Sequence, residues 1–116
     1  FEFSMLPADG GSVIPHTDAP GKLITLVVSM VKAGEWDPAL GGGTEVNRPK
    51  DTRLAYNELN RQAEFDQVEA LDCYEFTPNQ VVVFVKTFNS WHCVRPMTGH
   101  GSPAMRKTLT INIEAD

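Results

Sequence analysis

The sequence predicts an all-β fold. Extended segments with alternating or β-branched side chains recur along the 116 residues, Gly- and Pro-rich turns separate them, and only one stretch, 48–71, leans toward helical composition. Residues 1–6 alternate aromatic or apolar with polar side chains and stop at the turn cluster Pro7-Ala8-Asp9-Gly10-Gly11. Residues 12–16 form a second, short extended piece. Residues 22–31 are rich in β-branched side chains, and their near-continuous apolarity predicts a strand buried on both faces. A loop covers 34–43, and 44–47 reads as a short strand. Residues 72–77 and 80–86 are strands joined by a tight turn at Pro78-Asn79. Residues 91–97 and 106–114 complete about eight strands, with Thr98-Gly99-His100-Gly101-Ser102-Pro103 between them. The stretch 48–71 predicts a partly helical insertion between strands four and five, with helical turns around 54–59 and 65–71. Eight short strands with Gly/Pro turns fit a double-sheet jelly roll or a small barrel.

The length suits one domain, 1–116, with one core. The net charge is −5 and the ten basic residues are scattered, so no nucleic-acid partner is expected. The longest apolar run, residues 23–31, is broken by Thr25 and Ser29 and falls far short of the ~20 residues of a membrane helix. Cys73 and Cys93 cannot make a disulfide framework and no leader-like segment opens the chain, so a reducing, cytoplasmic setting is the expectation. The opening Phe-Glu-Phe-Ser-Met enters mid-strand, as a fragment or a minimal core does.

Pro15-His16-Thr17-Asp18 is the sharpest local signal. His16 and Asp18 share strand parity, so both side chains lean to one side. An imidazole and a carboxylate there are two parts of a 2-His-1-carboxylate facial triad, which leaves coordination positions open on Fe(II). Taken alone, a His-x-Asp is more often a solvated loop pair. The chain has three histidines, so the third ligand has a short list. His100 sits between two glycines in a loop and reads as solvated, whereas His92 opens an extended, apolar segment and is the better candidate. In the last strand Arg106, Thr108, Thr110 and Asn112 point one way and Leu109, Ile111 and Ile113 the other. Periodicity alone favours a polar outer face. The functional alternative turns Arg106 and Thr108 inward, where a guanidinium and a hydroxyl can hold a carboxylate.

In this order, His16-x-Asp18, then His92, then Arg106 with Thr108, the chain resembles the Fe(II)/2-oxoglutarate-dependent dioxygenase superfamily, in particular its prolyl-hydroxylase-like members. Leu23-Ile-Thr-Leu-Val-Val-Ser-Met, Trp36-Asp37, Gly42-Gly43-Thr44-Glu45-Val46, Phe76-Thr-Pro-Asn-Gln-Val-Val-Val-Phe84 and His92-Cys-Val-Arg-Pro are similar to the connecting strands and loops of that family, over nearly the whole chain. The resemblance implies a double-stranded β-helix, a jelly roll of eight strands. It implies Fe(II) held by His16, Asp18 and His92, and 2-oxoglutarate as cosubstrate with Arg106 and Thr108 on its far carboxylate. The implied reaction consumes 2-oxoglutarate and dioxygen, hydroxylates a substrate and releases succinate and carbon dioxide. Asp18 stands where halogenating relatives carry a small residue, which favours hydroxylation.

Two other readings stand beside it: a metal-binding jelly roll without turnover, and a zinc hydrolase, which has no use for Arg106 and Thr108. Lys22 and Lys86 are the reserve cations for the cosubstrate. Trp36 and Trp91 read as packing residues rather than substrate contacts. Family members carry helices before the jelly roll, and none precedes Phe1. The outward faces of Leu109, Ile111 and Ile113 would then need another cover, such as a second copy in a homo-oligomer.

Overall fold

The computed structural model describes residues Phe1–Asp116. Eight strands form: β1 (Glu2–Pro7), β2 (Val13–His16), β3 (Lys22–Ser29), β4 (Thr44–Pro49), β5 (Val68–Tyr74), β6 (Val81–Val85), β7 (His92–Val94) and β8 (Met105–Glu114). They lie in two four-stranded sheets, in the orders β1-β8-β3-β6 and β2-β7-β4-β5, with every pairing antiparallel. The chain changes sheet at each connection except that from β4 to β5, which pair with one another. The all-β expectation holds. No helix is long and apolar enough to cross a membrane.

Two expectations need correction. The segment predicted to be partly helical, 48–71, contains no α-helix, only single 3-10 turns at Thr52–Leu54 and Phe65–Gln67. Asn57 explains part of this: its side chain accepts from Arg61 N and donates to Arg61 O, closing a loop that takes the backbone groups a helix would use. Residues 68–71 join β5 because pairing from Pro49↔Val68 to Thr44↔Tyr74 overrides the helix preference of Glu69, Ala70 and Leu71. Likewise, β3 is not buried on both faces. Its outward Ile24, Leu26 and Val28 are half-buried; Val83 on the neighbouring β6 is 54% exposed and Phe3, beyond β8 on β1, is 70% exposed, so the chain's own residues leave this apolar face open.

Between the sheets, one end is plugged by Ala8, Val31, Trp36, Phe76 and Met97, with Trp36 edge-on to Phe76 at 5.4 Å. The other end is braced by the connection between β4 and β5. Ala63 N–H donates to Pro15 O at 3.0 Å, and Asn57 Nδ2 donates to Thr17 Oγ1 at 3.0 Å. Trp91, buried with Ala63 and Val68, donates its indole N–H to Ala55 O at 3.2 Å. The connection therefore holds the His16–Asp18 segment and the approach to His92 in one block. Trp91→Phe, which keeps most of the ring and loses that bond, should cost about 1–2 kcal/mol in urea unfolding.

Candidate metal and anion site

β2 and β7 are neighbours, and His16 and His92 are register partners across them. Their rings sit 4.4 Å apart. His16 Nδ1 lies 2.8 Å from Ile14 O and His92 Nδ1 lies 2.9 Å from Ser90 O. A neutral imidazole that donates from Nδ1 keeps its lone pair on Nε2, so these carbonyls select the ring nitrogen turned toward the cavity. Asp18, two residues beyond β2, places Oδ1 3.4 Å from both Nε2 atoms. Ligand atoms of the three residues all lie within 4.8 Å of one another. Neighbouring ligands on an ion with bonds of about 2.1 Å stand about 3 Å apart, so the set fits a metal after small adjustments. The chemistry fits too, since three lone-pair donors converge on one point and none offers the others a proton while the imidazoles are neutral.

Burial by itself would raise the Asp18 pKa. In the metal-free site with the imidazoles protonated, hydrogen bonds from His16 and His92, the charge of His92 and the Thr25 hydroxyl outweigh it and hold the carboxyl well below the usual carboxylate range. A depressed carboxyl contributes stability above its unfolded pKa of about 3.9 and loses it as pH falls through the folded value. Acid unfolding should therefore show the loss of the Asp18 contribution only below about pH 4, and Asp18→Asn should remove that component. Phe84, inward from β6, stacks on His92 at 4.2 Å and 24° and fixes the plane of the ring.

A cavity of about 230 Å³ runs from these three residues to Arg106, a size suited to a small metabolite. Thr108, Ser4 and Thr44 also line it. Arg106 is 6% and Thr108 4% exposed, so the last strand turns its polar face inward. The guanidinium donates Nε–H to Gly42 O at 2.6 Å, has Nη2 3.5 Å from Thr44 Oγ1 and lies over the Phe76 ring at 4.7 Å. No carboxylate pairs with it. Burial alone pushes its pKa down to about 10, so it remains a cation at neutral pH.

Gly42 makes this placement possible. Its φ is +83°, and a Cβ there would lie 3.1 Å from Met97 Sδ and Trp36 Cζ2 and 3.3 Å from Arg106 Cδ. Gly42→Ala should destabilise by about 1–3 kcal/mol in denaturant titration and displace the guanidinium.

All five residues singled out by sequence thus border one cavity: His16, Asp18 and His92 at one point, Arg106 and Thr108 along the wall. His100 is apart from them, exposed and 3.5 Å from Asp9. Of the reserve cations, Lys22 lines the cavity beside Glu2, while Lys86 does not line it. Trp36 and Trp91 are packed inside, at 5% and 1% exposure. Thr25, Thr44, Phe84 and Gly42 escaped the sequence reading. Thr25 had left a trace, as a polar break with Ser29 in an otherwise apolar run and on the same strand face. Compared with known protein families and with curated proteins, the chain matches none.

Proposed function

We propose that the chain is an Fe(II)-dependent oxygenase whose cosubstrate is 2-oxoglutarate, and that its two sheets are the double-stranded β-helix of that class. More particularly, it is a hydroxylase. The observation that carries this reading is Arg106, a buried cation without an anionic partner, in the same cavity as three convergent metal-ligating atoms. A buried, unpaired charge is costly unless a ligand completes it. A metal-bridged hydrolase needs no such cation, whereas a dicarboxylate chelated at one end needs one at the other.

His16, Asp18 and His92 would hold the metal, and Arg106 with Thr108 would hold the far carboxylate of 2-oxoglutarate. Iron and cosubstrate together supply the oxidising chemistry, with succinate and carbon dioxide as coproducts. The chain supplies the rest. The Ile14 and Ser90 carbonyls aim both imidazoles, Thr25 holds Asp18, and Phe84 and Val27 give the cavity an apolar wall that limits water. Arg106, fastened by Gly42 O and Phe76, presents a positive charge that needs no reorganisation when the ligand arrives.

The test is succinate release from 2-oxoglutarate in air with added Fe(II). The purified protein should form succinate slowly even without its hydroxylation substrate, and His92→Ala should not. Succinate formation that ignores Fe(II), or none at any Fe(II) concentration, would overturn the reading.

A further inference from the structure

The two oxygens of Asp18 have different neighbours. Oδ1 stands 3.4 Å from Nε2 of His16 and of His92, while Oδ2 accepts a 2.9 Å hydrogen bond from Thr25 Oγ1. Thr25 is 5% exposed and projects from β3 into the cavity. Its hydroxyl also lies 3.3 Å from Asn112 Oδ1, on the register partner of Thr25 in β8. A hydroxyl carries one proton, and the ionised acceptor at 2.9 Å takes it in preference to the neutral one at 3.3 Å. The Asn112 contact is then a hydrogen bond only with its amide turned, Nδ2 donating to Thr25 Oγ1. Asn112 has no other hydrogen bond that would resist the turn. The three side chains form one donor chain, from Asn112 through Thr25 to Asp18.

We infer that Thr25, backed by Asn112, is a positioning residue that confines Asp18 to coordination through Oδ1 alone. The inference rests on the proposed metal site. Carboxylates bind cations through one oxygen or two, and a free Oδ2 on so short a side chain has no barrier to joining Oδ1 on the ion. The difference matters because of what must fit. Three protein atoms on an octahedral ion leave three positions, the number that a chelating 2-oxo acid and dioxygen need together. A two-oxygen Asp18 leaves two, enough for the chelate and none for dioxygen. A hydroxyl that merely satisfied a buried carboxylate would have no such consequence.

Mn(II) is the probe, and the relaxation of water protons reads how many exchangeable waters the bound ion carries. Wild type should carry three. Thr25→Val, of the same shape without the hydroxyl, should bind Mn(II) with relaxation per bound ion lower by about a third, as one water is lost to Oδ2. Thr25→Ser should restore the wild-type value, and Asn112→Leu should move it the same way as Thr25→Val by a smaller amount. Equal relaxation in wild type and Thr25→Val would overturn the inference, as would equal losses in Thr25→Val and Thr25→Ser. Should wild type bind no Mn(II), or bind it undiminished after His16→Ala, the metal site itself is refuted and the role of Thr25 falls with it.

Discussion

Arg106→Gln should weaken 2-oxoglutarate binding by about 30- to 1,000-fold, ~2–4 kcal/mol, and leave Mn(II) binding nearly unchanged. The size follows from what the ligand's far carboxylate loses. In the wild type it would meet a desolvated guanidinium that has spare N–H groups and no competing acid. In the variant it would enter the same cavity facing a neutral amide, and Thr108 and Thr44 offer only hydroxyls. Lys107 cannot substitute, since it points from the opposite face of β8 to pair with Glu35. The selectivity should change with the affinity. A 2-oxo monoacid, which never used the guanidinium, should bind wild type and variant alike. The thermal midpoint supplies the control. An unpaired buried cation costs folded-state stability, so Arg106→Gln should unfold at the same or a higher temperature. A variant that lost 2-oxoglutarate because it had lost its fold would unfold lower.

Asp18→Asn should weaken Mn(II) binding by more than about 100-fold, beyond ~2.7 kcal/mol, with 2-oxoglutarate binding lost in step. The substitution keeps shape and removes the one negative charge among the three candidate ligands. Oδ1 stands equally close to both imidazoles, and Asp18 is the one carboxylate in the cluster. Equilibrium dialysis with Mn(II) measures the first effect, and repeating it with 2-oxoglutarate shows the dependence of the second. The two variants should therefore differ in kind: Arg106→Gln separates metal from cosubstrate, and Asp18→Asn removes both.

The strands were legible because their signals are local. The alternation in residues 1–6, the β-branched run from 22 and the parity of the last strand each name an element that the structure contains. Residues 68–71 were not legible, because Glu69, Ala70 and Leu71 favour helix and become strand only by pairing with β4. The outward face of β3 misled for a related reason: an apolar strand reads as doubly buried whether or not anything covers its second face. In the site, His16 and Asp18 could be paired from their spacing, and His92 was preferred over His100 for its extended, apolar setting, with the resemblance in order added to that. The register that sets it beside His16 comes from pairing, within one sheet, of two strands far apart in sequence. Periodicity favoured the wrong orientation for Arg106, since polar residues on alternate positions ordinarily face water, whereas Arg106 and Thr108 are buried along a cavity. Thr25 and Gly42 act through a carboxylate oxygen and a carbonyl held in place by distant segments, which no local pattern encodes.

The most direct test mixes the protein anaerobically with Fe(II) and 2-oxoglutarate and records the visible absorption. A 2-oxo acid chelated to Fe(II) gives a charge-transfer band, so wild type should develop one only when both are present. Glutarate, which has the two carboxylates and lacks the 2-oxo group, should give none. The band should vanish in His92→Ala, and in Arg106→Gln it should appear only at much higher 2-oxoglutarate. A wild-type protein that binds Fe(II) without the band at saturating 2-oxoglutarate, or a band that survives His92→Ala, would contradict the account.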